Sequence, residues 1–553
     1  MTAITLGSLR TAVKWEALWQ PHAPLFGRPT ESKGLRYDAG VIRRGAAHIL
    51  FLLLALAVPI GGQESKPAAA GPGEVLVILW FDTEDYLLPA SDDAARRVAE
   101  ILTARGIRGT FKVVGEKARV LERRGRTDVI AALKHHDIGY HSNLHSVHPT
   151  PAEYLAETGW ADGVAEFARR EGGGARDVMR IFGVPALSCY GQPGSSWAPQ
   201  AFGGLRQIGV VTPSGAPAYV DDGTHVGIGE QPFWYDGVLT VYNMGRNTTR
   251  MELHDSGGLA KGRADFEAVY QRLRANGGGL ISIYYHPAEW VHREFWDAVN
   301  FAHGANPPRE AWRPPPQRPA AETEAAFARF AAYIDFQRSL PGVRHVTASE
   351  LTAVYHDRVR ERGADLAIVR SMASRIASAE AVDDLQDAAG RAFSPADQFA
   401  MITTFVAQAI ERHMLPAHVD VAPLLGPAEA APETIAATLT WPAFRDALLD
   451  AAHEMHDREH VPSRVFVGAA SVAPADFLRA AAAVVSGMPA SGAPAFPERV
   501  TIPSGTRLAT ERFVARDSPE LFGGWVIHPP GFRAPRIVDN ARLQAWTLKP
   551  AER

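Results

Sequence analysis

The chain has 553 residues but a single cysteine, Cys189, so no disulfide can form within it. Its net charge is only −4, and such a balance gives no electrostatic reason to expect binding to nucleic acid or to an anionic membrane surface. An apolar run does occur at Ala46–Ile60, but it is shorter than the roughly 20 residues that a membrane-spanning helix needs. Scarcity of cysteine, of net charge and of long apolar runs therefore favours a globular protein without disulfides.

The apolar run has the surroundings of an export signal. Arg43 and Arg44 precede it, and the Pro/Ala/Gly-rich stretch Gly61–Gly73 follows it, which is the pattern of a secretory signal peptide. Residues 1–42 are a long lead for a cleaved signal and favour an uncleaved anchor as the rival interpretation. A buried core helix is the remaining alternative. We predict an N-terminal segment 1–73 and an exported protein, either periplasmic, secreted or membrane-anchored.

Residues 74–358 alternate strand-like and helix-like segments. Such repeated units predict an α/β fold, with a parallel sheet or barrel and its chemistry at the carboxyl ends of the strands. The predicted strands are Val75–Phe81, Gly109–Gly115, Ile138–His141, Leu280–Tyr285 and Val343–Val346, with a β-rich region over Val210–Met244. The predicted helices are Asp92–Arg105, Asp128–Lys134, Pro151–Arg170 and Glu322–Arg338.

Residues 359–553 change in character, being Ala-rich with amphipathic helical patterns. A degenerate repeat of a helix, a proline and a strand recurs at Leu415–Val421, Val461–Val467 and Phe496–Ile502, which predicts a mostly helical α+β module of packed units. Val461–Gly468 with Ala473–Leu478 is similar to pseudomurein-binding repeats, and that resemblance implies attachment to cell-wall polymer. A helical packing or dimerisation module is the alternative, and we expect no second catalytic centre there.

Two short motifs follow predicted strands in the first domain. The cluster Asp82, Glu84 and Asp85 ends the first strand, and His141 and His145 come after a later one. Two imidazoles and a carboxylate are the ligands of a divalent metal site of the two-His, one-carboxylate type, with a carboxylate left over as a base. The motifs therefore favour metal-assisted hydrolysis.

The histidine pair alone is a weak signal. With 20 histidines in 553 residues, about one H-x3-H pair is expected by chance. His456 and His460 form a second such pair on a charged helical stretch, where a solvated face is the simpler interpretation. The order of the motifs carries the hypothesis, because a further His-Pro, at His286, follows the penultimate strand.

Over residues 74–358 the sequence resembles the NodB-homology polysaccharide deacetylases, carbohydrate esterase family 4. Phe81–Asp85 is similar to the family's T-F-D-D-G motif in a D-x-E-D form, and His141-Ser142-x-x-His145 matches its H-[ST]-x-x-H motif. Ala132–Tyr140 and Gly109–Gly115 resemble the flanking G-H-E-I-G and T-F-F-V-x-G stretches. Ile281–His286 resembles the late motif of an apolar strand ending in histidine.

The resemblance implies a distorted (β/α) barrel that hydrolyses N-acetyl groups with a divalent metal ion. Zn²⁺ is the first expectation, with Co²⁺, Ni²⁺ or Mn²⁺ as alternatives. The implied roles are metal ligand for His141 and His145, ligand for Glu84 with Asp85 as the alternative, general base for Asp82 and general acid for His286.

The family's third motif, R-x-P, is altered here. The nearest match is Gln192-Pro193-Gly194, which we assign to substrate binding, and Gln192 cannot supply the charge that lowers the pKa of a base. Either another arginine, such as Arg180 or Arg246, reaches the site, or the site is tuned differently.

The partner of His286 and the sugar-contacting residues are less well marked. Asp236 is the candidate for orienting His286, with Asp221 and Asp255 as competitors. Trp197 and Trp290 are candidate sugar-stacking walls because flat aromatic faces suit pyranose rings, and buried core tryptophans are the equal alternative.

Taken together, the sequence predicts an exported metal-dependent deacetylase acting on N-acetylated amino sugars of a cell-wall or exported polysaccharide. One alternative is a hydrolase of a small non-peptide amide. The other is a catalytically inactive wall-binding relative, which the altered third motif suggests. The sequence does not indicate which polymer is bound or the oligomeric state.

Overall fold

The computed structural model describes residue 71 and residues 73–434, 437–468 and 470–553, and the predicted export segment Ala46–Ile60 lies outside these ranges. The described residues belong to one compact unit, Ser65–Arg553. Within those ranges, no helix combines the length and the apolar content that crossing a membrane requires.

A parallel sheet organises the first half of this unit. Its central strand, β1, pairs with β7 along one edge and with β8 and then β2 along the other, and every one of these pairings is parallel. The strands are β1 (Val75–Thr83), β2 (Thr110–Val113), β3 (Asp137–Tyr140), β4 (Ala218–Val220), β5 (Phe233–Tyr235), β6 (Val238–Val241), β7 (Gly279–Tyr285) and β8 (Val343–Val346).

The sheet curves into a distorted barrel beyond β3. β3 lies beside β2, and parallel bridges from Tyr140 to Tyr190 and from Tyr190 to Tyr219 carry the sheet to β4. β6 then pairs in parallel with β4 and antiparallel with β5. The antiparallel strand and the single-residue bridges distort an otherwise parallel (β/α) arrangement, and the predicted fold class is confirmed.

Helices cover the outside of this barrel. They are α1 (Pro89–Thr103), α2 (Gly115–Arg123), α3 (Thr127–Leu133), α4 (Pro151–Leu155), α5 (Trp160–Phe182), α6 (Gln200–Gly204), α7 (Gly258–Ala275), α8 (Trp296–Phe301), α9 (Ala320–Ser339) and α10 (Ala348–Leu351). The helix predicted over 151–170 is in fact two helices, because Gly159 is extended and caps the start of α5. α5 then continues to Gly183, whose left-handed backbone (φ 62°) ends it.

Alternating residues of β1 face two different cores. Val75, Val77, Leu79 and Phe81 pack against the outer helices, whereas Leu76, Ile78 and Trp80 belong to the core inside the barrel. A strand covered on both faces reads as a continuous apolar run, which is how its sequence appears. Because side chains alternate with a period of two, Asp82 continues the row that points into the barrel.

A second hydrophobic core lies mainly in residues 359–508, around four helices, and also includes Trp546. The helices from here to the C terminus are α11 (Arg358–Arg362), α12 (Leu366–Ser378), α13 (Pro395–Arg412), α14 (Trp441–Arg458), α15 (Pro474–Gly487), α16 (Glu520–Gly523) and α17 (Pro535–Gln544). The short strands are β9 (Ala364–Asp365), β10 (Ala381–Val382), β11 (Leu385–Gln386), β12 (Ala392–Phe393), β13 (His418–Val419), β14 (Thr438–Thr440), β15 (Val465–Val467), β16 (Ala470–Val472), β17 (Arg499–Thr501), β18 (Arg507–Leu508) and β19 (Lys549–Pro550). Buried residues of α12, α13, α14 and α15 dominate this core.

The three predicted repeat strands form, but each one pairs with a different antiparallel partner. β13 pairs with β9, β15 with β16, and β17 with β14. The three strands therefore do not join one shared sheet.

The last 45 residues return to the first core. Phe522, Ile537 and Leu548 are fully buried there, and β19 pairs antiparallel with β5. The sequence boundary at residue 358 missed this return, because it assigned the whole of 359–553 to one appended module.

Candidate active site

The two motif histidines lie at the carboxyl end of β3. His141 follows the strand directly, and a short loop, closed by a 3.1 Å hydrogen bond from the His145 amide to Ser142 Oγ, brings His145 beside it. His141 Nδ1 donates to the carbonyl of Gly191 at 3.0 Å. Because a carbonyl only accepts, this bond places the proton on Nδ1 and leaves the Nε2 lone pair of His141 free.

Glu84 completes a cluster of three ligand atoms with these histidines. Its Oε2 lies 2.8 Å from His145 Nε2 and 3.9 Å from His141 Nε2, and one ligand atom from each residue lies within 4.8 Å of the others. Burial disfavours the charged carboxylate, but His145 and His286 outweigh it and lower the pKa of Glu84 to about 2. Glu84 is therefore an anion facing two imidazoles.

The cluster contains a buried polar atom without a hydrogen-bond partner, as expected of a metal site. Glu84 Oε1 is buried and has no hydrogen-bond partner among the described residues. Leaving a buried carboxylate oxygen without a partner is costly, and a cation at this point would satisfy it. Two imidazole nitrogens and one carboxylate suit Zn²⁺, and also Co²⁺, Ni²⁺ or Mn²⁺, so the residues present fit a divalent ion.

Asp85 does not belong to this cluster. Its Oδ1 accepts hydrogen bonds from the amides of Leu87 and Leu88, at 2.7 and 3.4 Å, and its Oδ2 lies 3.3 Å from His292 Nε2. The carboxylate thus organises the turn that leads into α1. Asp82 and Glu84 are two residues apart and reach the histidines, whereas Asp85 points elsewhere, so the alternative assignment of Asp85 as a ligand is set aside.

Asp82 lies between two cationic groups. Its Oδ1 is 2.9 Å from Lys112 Nζ, and its Oδ2 is 3.6 Å from His286 Nε2. Burial raises the pKa of Asp82, but His141, Lys112 and His286 together hold it below the ordinary value for an aspartate. A buried carboxylate that stays ionised can accept a proton during a reaction.

Lys112 supplies the charge that the altered third motif lacks. The side chain is fully buried in β2, its Nζ lies 2.5 Å from Asp221 Oδ2 as well as near Asp82, and it sits 4.1 Å from the centre of the Trp80 ring. Burial works against its charge, but Asp221 and Asp82 raise the pKa of Lys112 above the usual value. The sequence signal for this buried charge was a lysine inside an otherwise apolar strand.

Neither arginine proposed from the sequence reaches the site. Arg180 Nη1 lies 2.6 Å from Glu122 Oε1, and Arg246 Nη2 lies 3.0 Å from Glu230 Oε2. Both pairs lie on exposed parts of the surface, so those two suggestions were wrong. Gln192 instead accepts a 2.5 Å hydrogen bond from the hydroxyl of Tyr219, and its amide donates to the Gly194 carbonyl at 2.9 Å.

Glu289 holds His286. His286 follows β7 directly, and its Nδ1 lies 2.8 Å from Glu289 Oε1, while Arg250 Nη2 lies 2.5 Å from the other oxygen of Glu289. Burial lowers the pKa of His286, but Glu84, Glu289 and Asp82 raise it to about 9. The imidazolium form, a proton donor, is therefore favoured near neutral pH.

The three aspartates suggested as partners of His286 are placed elsewhere. Asp236 Oδ1 accepts a 3.2 Å hydrogen bond from the Thr547 hydroxyl, Asp221 is the second partner of Lys112, and Asp255 precedes α7. The sequence signal for Glu289 was its position three residues after His286, which is the spacing of a capping box at the start of a helix.

Both candidate tryptophans are core residues. Trp290 is fully buried and stacks on Phe327, with ring centres 5.6 Å apart, and Trp197 stacks on the buried His225 at 5.0 Å. The sugar-wall interpretation of both residues was therefore wrong. Of the other substrate-binding candidates, Gln192 and Gly194 line the cavity above the site, and Pro193 lies between them.

A cavity of about 540 Å³ opens above these residues. Its floor includes Asp82, Glu84, His145 and His286, and part of its wall comes from Trp525, more than 200 residues farther along the chain. Sequence reasoning missed Trp525, because nothing in the local pattern connects it to the motifs.

Comparison with known proteins gives fold-level matches to half of the chain. No protein-family model matches the sequence, and no curated protein matches it. A family 4 carbohydrate esterase from Streptomyces lividans, solved with acetate, is 14% identical, with 51% of this chain and 97% of that chain covered and a TM-score of 0.26. The Puue allantoinase is 11% identical, with 52% and 94% covered and a TM-score of 0.33. A family 4 pseudoenzyme from Bacillus anthracis is 12% identical, with 53% and 71% covered and a TM-score of 0.25.

Proposed function

We propose that this protein is a metal-dependent hydrolase of the polysaccharide deacetylase type, which removes N-acetyl groups from amino sugars of a cell-wall or exported polysaccharide. The observation that supports it most is that the cluster Glu84–His141–His145 lies beside the pair Asp82 and His286. In this pair, Asp82 Oδ2 and His286 Nε2 lie 3.6 Å apart. One group of residues can hold a cation, and the adjacent pair can accept and donate a proton.

A divalent ion held by Glu84, His141 and His145 would polarise the acetamide carbonyl and make a water nucleophilic at neutral pH. Asp82 takes the proton of the attacking water, and Lys112 keeps Asp82 ionised until it does so. As the carbon–nitrogen bond breaks, protonated His286 gives its Nε2 proton to the departing amine. The products are acetate and the free amino sugar.

Lys112 also bears on the alternative of an inactive relative. That alternative rested on Gln192, which cannot provide a positive charge beside the base. The 2.9 Å contact between Lys112 Nζ and Asp82 supplies such a charge from a neighbouring strand. We therefore favour an active enzyme.

Metal analysis combined with acetate release tests the proposal. We expect about one divalent ion per chain in the wild type, loss of the ion in His141→Ala, and retained ion with lost turnover in Asp82→Asn. His456→Ala is the matched control, since His456 is an exposed member of the chance H-x3-H pair, and it should keep both metal and activity. If the wild type binds no ion and releases no acetate from N-acetylglucosamine oligomers, the proposal fails.

A second candidate is hydrolysis of a small non-peptide amide. The cavity of about 540 Å³ lies within the range of roughly 300–1,000 Å³ that is typical of pockets for one small ligand, which favours it. A metal-loaded protein that cleaves small acetamides but no N-acetylated saccharide would select this candidate.

We also propose that the protein is exported and that its C-terminal module attaches to cell-wall polymer. The charged and apolar pattern of residues 43–60 supports export, and protease protection of the tagged protein in intact cells would test it. Binding of the C-terminal module, residues 359–553, to cell-wall polymer would be tested by sedimentation of the full chain with purified walls.

A further inference from the structure

Two of the candidate metal ligands are carried by a loop with an uncommon backbone. We call residues 141–145 the histidine loop. Within it, Ser142 and His145 both have left-handed backbone angles, with φ of 64° and 56°. Residues other than glycine adopt this region at a cost, and they keep it only where the surrounding structure holds them. The positions of the His141 and His145 imidazoles therefore depend on what holds the loop between them.

Glu171, in the middle of α5, holds the centre of the histidine loop. Its Oε2 accepts a 2.7 Å hydrogen bond from the Asn143 amide and a 2.9 Å hydrogen bond from the Tyr140 hydroxyl. Its Oε1 accepts a 3.2 Å hydrogen bond from the Tyr154 hydroxyl. All three partners are donors, which suits a carboxylate, because an ionised carboxylate only accepts.

The burial of Glu171 calls for an explanation. The residue is only 4% exposed, and it forms no ion pair with any lysine or arginine in the part of the chain that the structure describes. A carboxylate buried without a cation is costly. Glu171 does not line the cavity, so the proposed reaction does not use it directly. Its hydrogen bond to the Asn143 amide, a strong type because the acceptor is charged, is its link to the site.

The approach of α5 to the histidine loop requires glycine at one position. A β-carbon on Gly174 would lie 2.5 Å from both Asn143 Oδ1 and the Tyr140 hydroxyl, and one on Gly115 would lie 2.8 Å from Gly174 Cα. A β-carbon on the neighbouring Gly173 would meet nothing within 4 Å. Glycine is unfavourable inside a helix, so Gly174 has a packing reason to be there: it lets α5 bring Glu171 up to the loop.

We propose that Glu171 is a positioning residue for the candidate metal ligands. Through the Asn143 amide, it fixes the histidine loop so that both imidazoles of the loop face the same ion. This inference rests on the metal cluster of the proposed function. The property that matters is an acceptor oxygen at the right distance. An amide oxygen in the same place should therefore serve, whereas a shorter carboxylate should not.

Two variants separate the reach of this side chain from its charge. Glu171→Gln keeps the length and one acceptor oxygen, and its NH₂ group can donate to the Tyr154 hydroxyl oxygen. Glu171→Asp keeps the charge but is one methylene shorter. The full chain, stripped of metal, is titrated with Zn²⁺ in a calorimeter. We expect a dissociation constant within about threefold of the wild type for Glu171→Gln and at least about tenfold weaker for Glu171→Asp. The reverse order would show that charge acts on the ion directly, and it would overturn the inference.

The glycines of α5 provide an independent matched pair. Gly174→Ala forces α5 away from Asn143 and should weaken Zn²⁺ binding by about tenfold. Gly173→Ala adds the same methyl group one residue earlier, in open space, and should bind Zn²⁺ within about threefold of the wild type. Equal affinity in the two variants contradicts the inference.

Asp137→Ala controls for a general loss of stability. Asp137 is a buried carboxylate at the opposite end of β3, where it accepts hydrogen bonds from the amide and the hydroxyl of Ser349, at 3.0 and 2.8 Å. Its removal should lower the urea midpoint and leave the affinity for Zn²⁺ within about threefold of the wild type. Zn²⁺ binding that weakens as much as in Glu171→Asp would mean that any damage to β3 has this effect, and positioning by Glu171 would be refuted.

Amide hydrogen exchange observes the histidine loop without the metal. In the metal-free protein, residues 141–147 should exchange about tenfold faster in Glu171→Asp than in the wild type, while β7 exchanges at an unchanged rate. Unchanged exchange of the loop overturns the inference. If the wild type binds no Zn²⁺, the proposed function fails, and the exchange measurement alone decides whether Glu171 fixes the loop.

Discussion

Lys112 is the residue whose removal we expect to be most informative. Its Nζ lies 2.9 Å from Asp82 Oδ1 and 2.5 Å from Asp221 Oδ2, and all three side chains are buried. In Lys112→Met, the two buried carboxylates would lose the cation that lies between them, and Asp82 would keep its contact with His286. Removing one partner of a buried ion pair costs about 3–5 kcal/mol, because the remaining charge stays out of water.

We therefore expect Lys112→Met to lower the free energy of unfolding by about 3–5 kcal/mol, measured by urea denaturation at pH 7. Turnover should fall as well, because the protonated form of Asp82 becomes more favourable and a protonated acid cannot act as the base. Lys134→Met is the matched control, since Lys134 is exposed, and it should change stability by less than about 0.5 kcal/mol.

A double variant separates charge from packing. Adding Asp221→Asn to Lys112→Met removes one of the two stranded carboxylates, so the double variant should be more stable than Lys112→Met alone. The activity should stay low, because the charge beside Asp82 is still missing. A Lys112→Met protein that loses less than about 1 kcal/mol, or a double variant no more stable than the single one, would refute the reasoning.

Two further predictions concern stability. Lys549→Met should lower the free energy of unfolding by about 3–5 kcal/mol, because it strands Asp357 and Asp397, which lie 2.6 and 2.7 Å from Lys549 Nζ; Lys549→Arg should recover part of the loss in the same denaturation assay. Burial lowers the pKa of His136 from 6.5 to about 4, so the stability it contributes is fully present above pH 6.5 and is lost as the pH falls toward 4. His136→Gln should reduce the loss of unfolding free energy between pH 7 and pH 4.5 by about 2–3 kcal/mol, whereas His135→Gln on the exposed neighbour should not; equal pH dependence in both would contradict this.

The sequence was sufficient for the parts of the fold that repeat locally. β1 is a continuous apolar run, and β7, which pairs with it from Val75 to Phe81, was found because it has a similar run. α2 and α7 were missed because both begin at a glycine, Gly115 and Gly258, and glycine signals the end of an element rather than its beginning.

Some residues of the site could likewise be located from the sequence, and others could not. Asp82, His141 and His286 could be located because each directly ends a parallel strand, and the ends of parallel strands meet. Lys112 and Trp525 could not, because their roles depend on which strand lies next to β1 and on where the chain returns after residue 508. Both depend on tertiary pairing, and the only local signal was the lysine within the otherwise apolar β2.

The course of the C-terminal chain gives the second core a structural connection to the candidate site. Lys549 in β19 binds Asp357 and Asp397, while the same strand pairs with β5 of the barrel. Between the second core and β19 the chain passes through residues 520–526, several of which line the cavity. This segment is held directly by Ser195, which donates to the Phe522 carbonyl, and by His303, which donates to the Val526 carbonyl, and these bonds keep Trp525 beside His145. The chain that leaves the helical region after residue 358 therefore supplies part of the lining of the site.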